Sequence, residues 1–379
     1  MKHLKLSILI LLSFLNFTHV LQAQEFNGGK WQAIIDGQPS EGAFFYRLNF
    51  DSNGDLQVTK QMGGIDNIVE QKTWHREGNN IIVTSSEASY IHEFDGATLT
   101  LTDDQTMSYK SGPYEGKVKP YFHGLAIIHW ILILVVLILL NELFRKSKWA
   151  SIVFYFILPV ILTVFVWRHQ GVTYWFKWVK VYSVVFASVW FILIRYSKNF
   201  GKHNWVKLVA ALFLAINIAE AVSQDFSMGF LPNILNGIAG VLSTITLFYG
   251  WKGIGPDNSK EKDMVWPLMP VLWIVAYDVW NVVYVYLNFP GSTSAQFMVL
   301  LSCTIPALFI KKGTWLQARA FTLAAWFMYY FTFPRFTEQL ELLVPRNTTL
   351  MFIAAALSLL LNVAYFGVFI KRLRYKKHS

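Results

Sequence analysis

Cysteine is almost missing from this chain. Cys303 is the only one in 379 residues, and it lies inside an apolar run, so neither a disulfide framework nor a thiolate metal cage can be built. Charge is scarce as well. Asp, Glu, Lys and Arg make up 15% of the residues, against 54% hydrophobic and 17% aromatic, which is a membrane composition and not that of a soluble enzyme. The sequence has no H-E-x-x-H, G-x-S-x-G, Walker or dinucleotide glycine pattern, and its histidines show no metal-ligand spacing. No cofactor, no metal site and no catalytic residue is expected.

The charges that are present divide the chain. Residues 25–120 carry 8 Lys and Arg against 14 Asp and Glu, whereas residues 121–379 carry 23 against 9. An acidic head therefore precedes a basic body. Because the basic residues fall mostly in short loops between apolar runs, they point to membrane topology and not to nucleic acid. Residues 1–23 read as a secretory signal: Lys2 and Lys5, an apolar stretch from Leu6 to Leu15, and Leu21-Gln22-Ala23 as a cleavage site.

Residues 24–120 alternate with period two and are punctuated by turns. Strands are expected at Ala43–Phe50, Leu56–Lys60, Val69–Arg76, Asn80–Ser85, Ser89–Phe94, Thr98–Thr102 and Thr106–Lys110. The pair Asp95-Gly96, between SYIHEF and ATLTL, reads as a two-residue hairpin turn. Short antiparallel strands taken in order make a meander that closes as an extracytoplasmic all-β barrel or sandwich. Gly29-Lys30-Trp31 at the first strand, YRLNFDSNG, Trp74 and SYIHEFDGATLTL resemble the small lipocalin-like domains of exported bacterial proteins. That resemblance implies a small apolar ligand inside the barrel; a barrel filled by its own side chains is the alternative.

From Phe122 onward nine spans are expected, at 124–144, 149–167, 175–195, 206–225, 229–250, 266–288, 294–310, 315–334 and 349–370. This α-helical polytopic body resembles an uncharacterised bacterial multi-spanning family, which implies architecture and no chemistry. With the head outside, eighteen Lys and Arg fall in inner loops, Arg145, Arg195 and Arg319 among them, against Arg168, Arg335 and Arg346 outside. This bias places the C-terminus in the cytoplasm of a bacterial inner membrane. Trp205, Trp266 and Trp315 each open an outward-running span, as interfacial belts or internal repeats would have them.

Three charged residues fall within spans. Asp278 lies near a midplane, about ten residues, or about 15 Å, from the outer edge of its helix, with no Lys or Arg expected at matching depth. Glu220 is about five residues, or about 7 Å, below Asp225, which marks the outer surface, and Lys180 lies at a matching depth below Trp175. Helical spacing sets Asn281 beside Asp278, Asn217 and Gln224 beside Glu220, and Lys177 beside Lys180. Intramembrane ionisable groups by default mark an ion or substrate pathway. The structural alternative is a Lys180–Glu220 pair and a neutral Asp278 carboxyl hydrogen-bonded to Asn or Tyr. His129 is expected to be a helix-packing hydrogen bonder, Asn233 and Asn236 to add polarity, and Gly237 with Gly240 to permit close helix contact. Three functions are compatible with these features: a small-solute or ion transporter whose β domain captures ligand, a non-catalytic sensor or assembly protein, and a membrane enzyme acting on a lipid or quinone. Oligomeric state is not legible.

Overall fold

Alternation in the head builds an eight-stranded antiparallel barrel. The structure, a computed structural model, describes residues 26, 28–36, 45–62, 65–85, 89–102, 106–120, 123–169, 175–289, 292–333, 337, 340, 342, 344 and 348–378. The expected export signal lies outside the described residues, as do Arg335 and Arg346. The chain forms two compact units, one made mostly of the residues before 122 and the other of everything from 122 onward with residues 38–45 and 61–67.

The barrel strands are β1 (Gly29–Asp36), β2 (Phe45–Phe50), β3 (Asp55–Met62), β4 (Ile65–Glu77), β5 (Asn80–Thr84), β6 (Thr98–Leu101), β7 (Met107–Ser111) and β8 (Tyr114–Pro120). They neighbour one another in sequence order, and β8 returns to β1 with Ala33 opposite Val118, so no edge is left open. Alternate residues point inward: Tyr46, Leu48 and Phe50, then Leu56 and Val58, Ile81 and Val83, Met107 and Tyr109 are buried. Phe94 fills the interior between Tyr46 and Tyr109, with ring centroids 5.1 and 4.9 Å away. At one end Phe26 packs on Trp31, Phe50 and Trp74 at 5.2 to 5.5 Å. Gly28 lets the chain reach this cluster, because a Cβ there would stand 2.6 Å from the Phe50 carbonyl oxygen.

Two expectations for the head are corrected. Ser89–Phe94 is not a strand: His92–Phe94 is a 3-10 turn, Asp95-Gly96 ends it, and β6 pairs with β5 and β7. The buried residues Ile91, Phe94 and Ala97 recur every three positions, the period of a 3-10 turn and not of a strand. The last strand, β8, was not expected from EGKVKP. It forms because Gly112 (φ +52°) and Pro113 make the two-residue turn from Ser111 to Tyr114, and because β1 lies free to pair with it.

The second unit contains nine long helices among the described residues: α1 (His123–Lys146), α2, α3 (Trp175–Tyr196), α4 (Asn204–Ser227), α5 (Leu231–Leu247), α6 (Val271–Asn288), α7 (Thr293–Phe309), α8 (Trp315–Thr332) and α9 (Thr348–His378). Helix α2 runs through Lys148–Ile152, a π turn at Val153–Ile157, and Leu158–Phe165. Pro159 offers no N–H to the Tyr155 carbonyl, and the chain widens there, with Leu158 N–H bonding Val153 O. Six of the nine helices (α1 to α4, α6 and α9) are long and apolar enough to cross a membrane. Helices α5 and α7 are apolar but have 17 residues each, and the 18-residue α8 is interrupted by Gln317 and Arg319.

The core of this unit is aromatic. Tyr277 stacks on Trp273 at 5.3 Å and meets Trp315 edge-on at 5.1 Å. Trp266 and Trp315 are fully buried, so these two are core residues and not a belt; Trp205 is exposed. Gly237 and Gly240 allow close approach as expected, since a Cβ on Gly240 would fall 2.4 Å from Val222 and 2.7 Å from the Trp280 indole. His129 hydrogen-bonds the Tyr329 hydroxyl at 3.0 Å, joining α1 to α8.

Candidate functional site

The 18-residue α6 holds Asp278 near its middle. Asp278 Oδ2 accepts a hydrogen bond of 2.6 Å from the Thr304 hydroxyl on α7, and Trp315 Nε1 on α8 donates to that same hydroxyl at 2.8 Å. An indole N–H can only donate. The hydroxyl accepts from Trp315 and donates to the Asp278 carboxylate, so with Asp278 ionised the chain Trp315 to Thr304 to Asp278 has one direction. The other oxygen, Asp278 Oδ1, is buried without a hydrogen-bond partner.

Arg319 follows Trp315 by one helical turn, which brings both to the same face of α8. Its charge is within electrostatic reach of Asp278, and it also interacts with the Tyr277 hydroxyl. Only 7% of Arg319 is exposed, and its Nε and Nη1 are buried without hydrogen-bond partners. This corrects two expectations: Arg319 is a helix residue and not a loop residue, and Asp278 does have a cation nearby. The i, i+4 spacing of Trp315 and Arg319 was the available signal. Leaving a buried charged donor or acceptor unmatched costs about 1–3 kcal/mol or more, so Asp278 and Arg319 together present acceptor and donor atoms that the protein does not use.

The other site residues are arranged differently. Asn281 does not join Asp278; its side-chain oxygen accepts from Gln296 on α7. Lys180 and Glu220 do come together, as an ion pair of 2.5 Å between α3 and α4, and both stay partly exposed. Lys177 lies one turn earlier on α3, half-buried. Asn217 bonds its own helix at Phe213 O, and Gln224 reaches Met228 Sδ, so neither supports Glu220 through these bonds.

Asp225 is not a surface marker. It is fully buried at the end of α4, where the side-chain amides of Asn233, Asn236 and Asn288 donate to it at 3.0, 2.7 and 2.7 Å. Ser358 on α9 bonds Asn236 in turn, at 2.7 Å. Helices α4, α5 and α6 thus meet on one carboxylate held by amide donors, and α9 joins them through Asn236.

At the opposite end of α6 lies a second buried carboxylate that the sequence reading missed. Asp263 accepts from Arg145 at 2.9 to 3.2 Å and from Gln317 at 3.0 Å, and Glu142 holds the other face of Arg145 at 2.7 and 2.8 Å. Arg195, completely buried, donates to the carbonyls of Phe144 and Arg145 at the end of α1 and to those of Glu261 and Lys262. A guanidinium suits helix-end carbonyls, which lack partners of their own. Arg145 and Arg195, expected in loops, are therefore structural members of the bundle.

In the barrel, Lys60 pairs with Glu93 at 2.5 Å, and the buried Lys72 contacts Asp95, Ser85 and Ser89 at 2.8, 3.0 and 2.9 Å. Burial alone would raise both carboxyls, but the lysine and serine bonds outweigh it and hold Glu93 and Asp95 below their ordinary range.

An eight-stranded β-barrel followed by a helical unit with six helices long and apolar enough to cross a membrane is the make-up of a membrane protein with a fused β domain. The chain belongs to the DUF5692 family, a family of unknown function, over residues 122–379. No curated protein and no solved structure matches it.

Proposed function

We propose that this protein moves a small solute or ion across a bacterial inner membrane, with Asp278 and Arg319 at the substrate site. The observation that carries this reading is the set of unused atoms: Asp278 Oδ1, buried near the middle of helix α6, and the Nε and Nη1 of Arg319, buried one turn into helix α8. A group that donates to the carboxylate and accepts from the guanidinium completes both, and charged groups at that depth are costly unless they serve a pathway. In this reading all nine helices lie within the membrane, the barrel faces the outside and the C-terminus faces the cytoplasm, in keeping with the loop charges. Purified protein in proteoliposomes tests it: an imposed proton or sodium gradient should drive solute or ion flux above that of empty vesicles, and flux equal to empty vesicles under every gradient would overturn it.

A second reading is a membrane sensor whose lipocalin-like barrel binds a ligand. It is favoured by Glu93 Oε2 and the Tyr109 hydroxyl, both buried in the barrel without hydrogen-bond partners. Solute-dependent quenching of barrel tryptophans without flux would select it.

A further inference from the structure

The Lys180–Glu220 pair is on the outside of the helical unit. The two side chains keep 31% and 41% of their exposure, although α3 and α4 are both long and apolar enough to span a membrane. Exposed apolar residues lie along both helices, Val179 and Phe186 on α3 and Ile216 and Phe226 on α4. A polar stripe runs along the exposed face of α4 through Asn217, Glu220, Ser223, Gln224 and Ser227, at the i, i+3, i+4, i+7 spacing of one helical face. Ion pairs are not left facing acyl chains without polar cover, because hydrocarbon solvates neither charge.

Charge and depth identify that cover. Lys177 and Lys180 stand one turn apart opposite the single acid Glu220, so the site carries one surplus positive charge and a carboxylate beside it. The Lys180 bond uses Oε2 of Glu220, leaving Oε1 to accept from a second donor. Lys180 is five residues from the start of α3 and Glu220 seven from the end of α4. At about 1.5 Å per residue, both lie about 7–10 Å from the helix ends, within reach of a lipid headgroup drawn slightly inward. We infer that this face of α3 and α4 binds a zwitterionic phospholipid with a primary ammonium headgroup: its phosphate accepts from Lys177 and Lys180, and its ammonium donates to Glu220. Phosphocholine has the same charges but no N–H to give to Glu220, so it fits only the lysine half. The inference is independent of the transport reading and of which way the protein faces.

The test uses the full-length protein in nanodiscs of equal phosphatidylethanolamine, phosphatidylcholine and phosphatidylglycerol, with the lipids retained after mild delipidation read by native mass spectrometry. One charge-assisted hydrogen bond predicts about a tenfold preference for the ethanolamine lipid over the choline lipid. Replacing its ammonium hydrogens by one, two and three methyl groups should lower retention stepwise on the wild-type protein, a series that needs no variant to fold. Glu220→Gln should erase the preference for ethanolamine over choline, and Lys177→Gln with Lys180→Gln should release both lipids. Equal retention of ethanolamine and choline lipids would overturn the proposal. So would preferential retention of phosphatidylglycerol, an unchanged preference in a folded Glu220→Gln protein, or a lipid-free dimer covering this face.

Discussion

Arg319 and Asp278 lie within electrostatic reach of each other, yet Asp278 Oδ1 and Arg319 Nε and Nη1 find no hydrogen-bond partner in the protein. Their coupling therefore acts across a gap and not through a shared bond. Removing one charge should leave the other isolated, so Asp278→Asn and Arg319→Gln should each cost more alone than their sum in the double variant implies. A double-mutant cycle in detergent should show about 0.5–3 kcal/mol of coupling. Strict additivity would mean that the two charges do not sense each other.

Thr304 is the hinge of the directed chain from Trp315 to Asp278. Thr304→Val keeps the shape but strands a buried indole N–H and uncovers Oδ2, which should cost about 1–3 kcal/mol. Thr304→Ser keeps the hydroxyl and should melt near wild type. Thermal melting of the two purified variants checks this order.

At the Asp263 hub the loss should be larger. Arg145→Met leaves the fully buried Asp263 with Gln317 as its remaining side-chain hydrogen-bond donor and Arg195 as its remaining cation, at 3.8 Å. Breaking a buried ion pair on one side typically costs about 3–5 kcal/mol, and with Arg195 in place the loss should fall toward the lower end of that range. Lower expression and a markedly lower melting temperature are expected. A variant as stable as wild type would show that Arg145 is dispensable to the bundle.

The barrel should be acid-sensitive. Glu93 and Asp95 titrate below their ordinary range in the folded state, so the unfolded chain binds more protons and stability rises with pH. Their contribution is complete above the unfolded carboxyl values of about 3.9 for Asp and 4.3 for Glu, and it is lost as pH falls through the lower folded values. Residues 25–120 expressed alone should fold, and chemical denaturation followed by circular dichroism should show stability flat near neutrality and falling below about pH 4. A segment that stays unfolded at neutral pH would refute an independent domain.

What the sequence made legible follows from which signals are local. Alternation placed β2, β3, β5 and β7, and long apolar runs located the helices, because both patterns repeat within one element. The 3-10 turn at His92–Phe94 was misread because Ile91, Phe94 and Ala97 repeat every three residues inside a segment that also looks β-like. Strand β8 depends on a distant partner, β1, and among its residues of described burial carries one buried apolar side chain, Val118. The polar centres escaped for the same reason. Asp225, Asp263 and Arg319 look like loop or end residues in one dimension, and only the three-dimensional arrangement shows Asp225 among three asparagines and Arg319 within electrostatic reach of Asp278. The Lys180–Glu220 pair was legible because equal depth on two membrane helices is itself a linear quantity.

The central claim rests on the charge of Asp278. Asp278→Asn preserves shape and can still accept from Thr304, but it cannot carry a negative charge or exchange a proton. Flux through wild-type and Asp278→Asn proteoliposomes, measured beside their melting curves in detergent, tests the claim most directly. The transport account expects a folded variant that loses no more stability than its coupling to Arg319, about 0.5–3 kcal/mol, and carries no gradient-driven flux; a variant that fails to fold, or one that transports as wild type does, would contradict it.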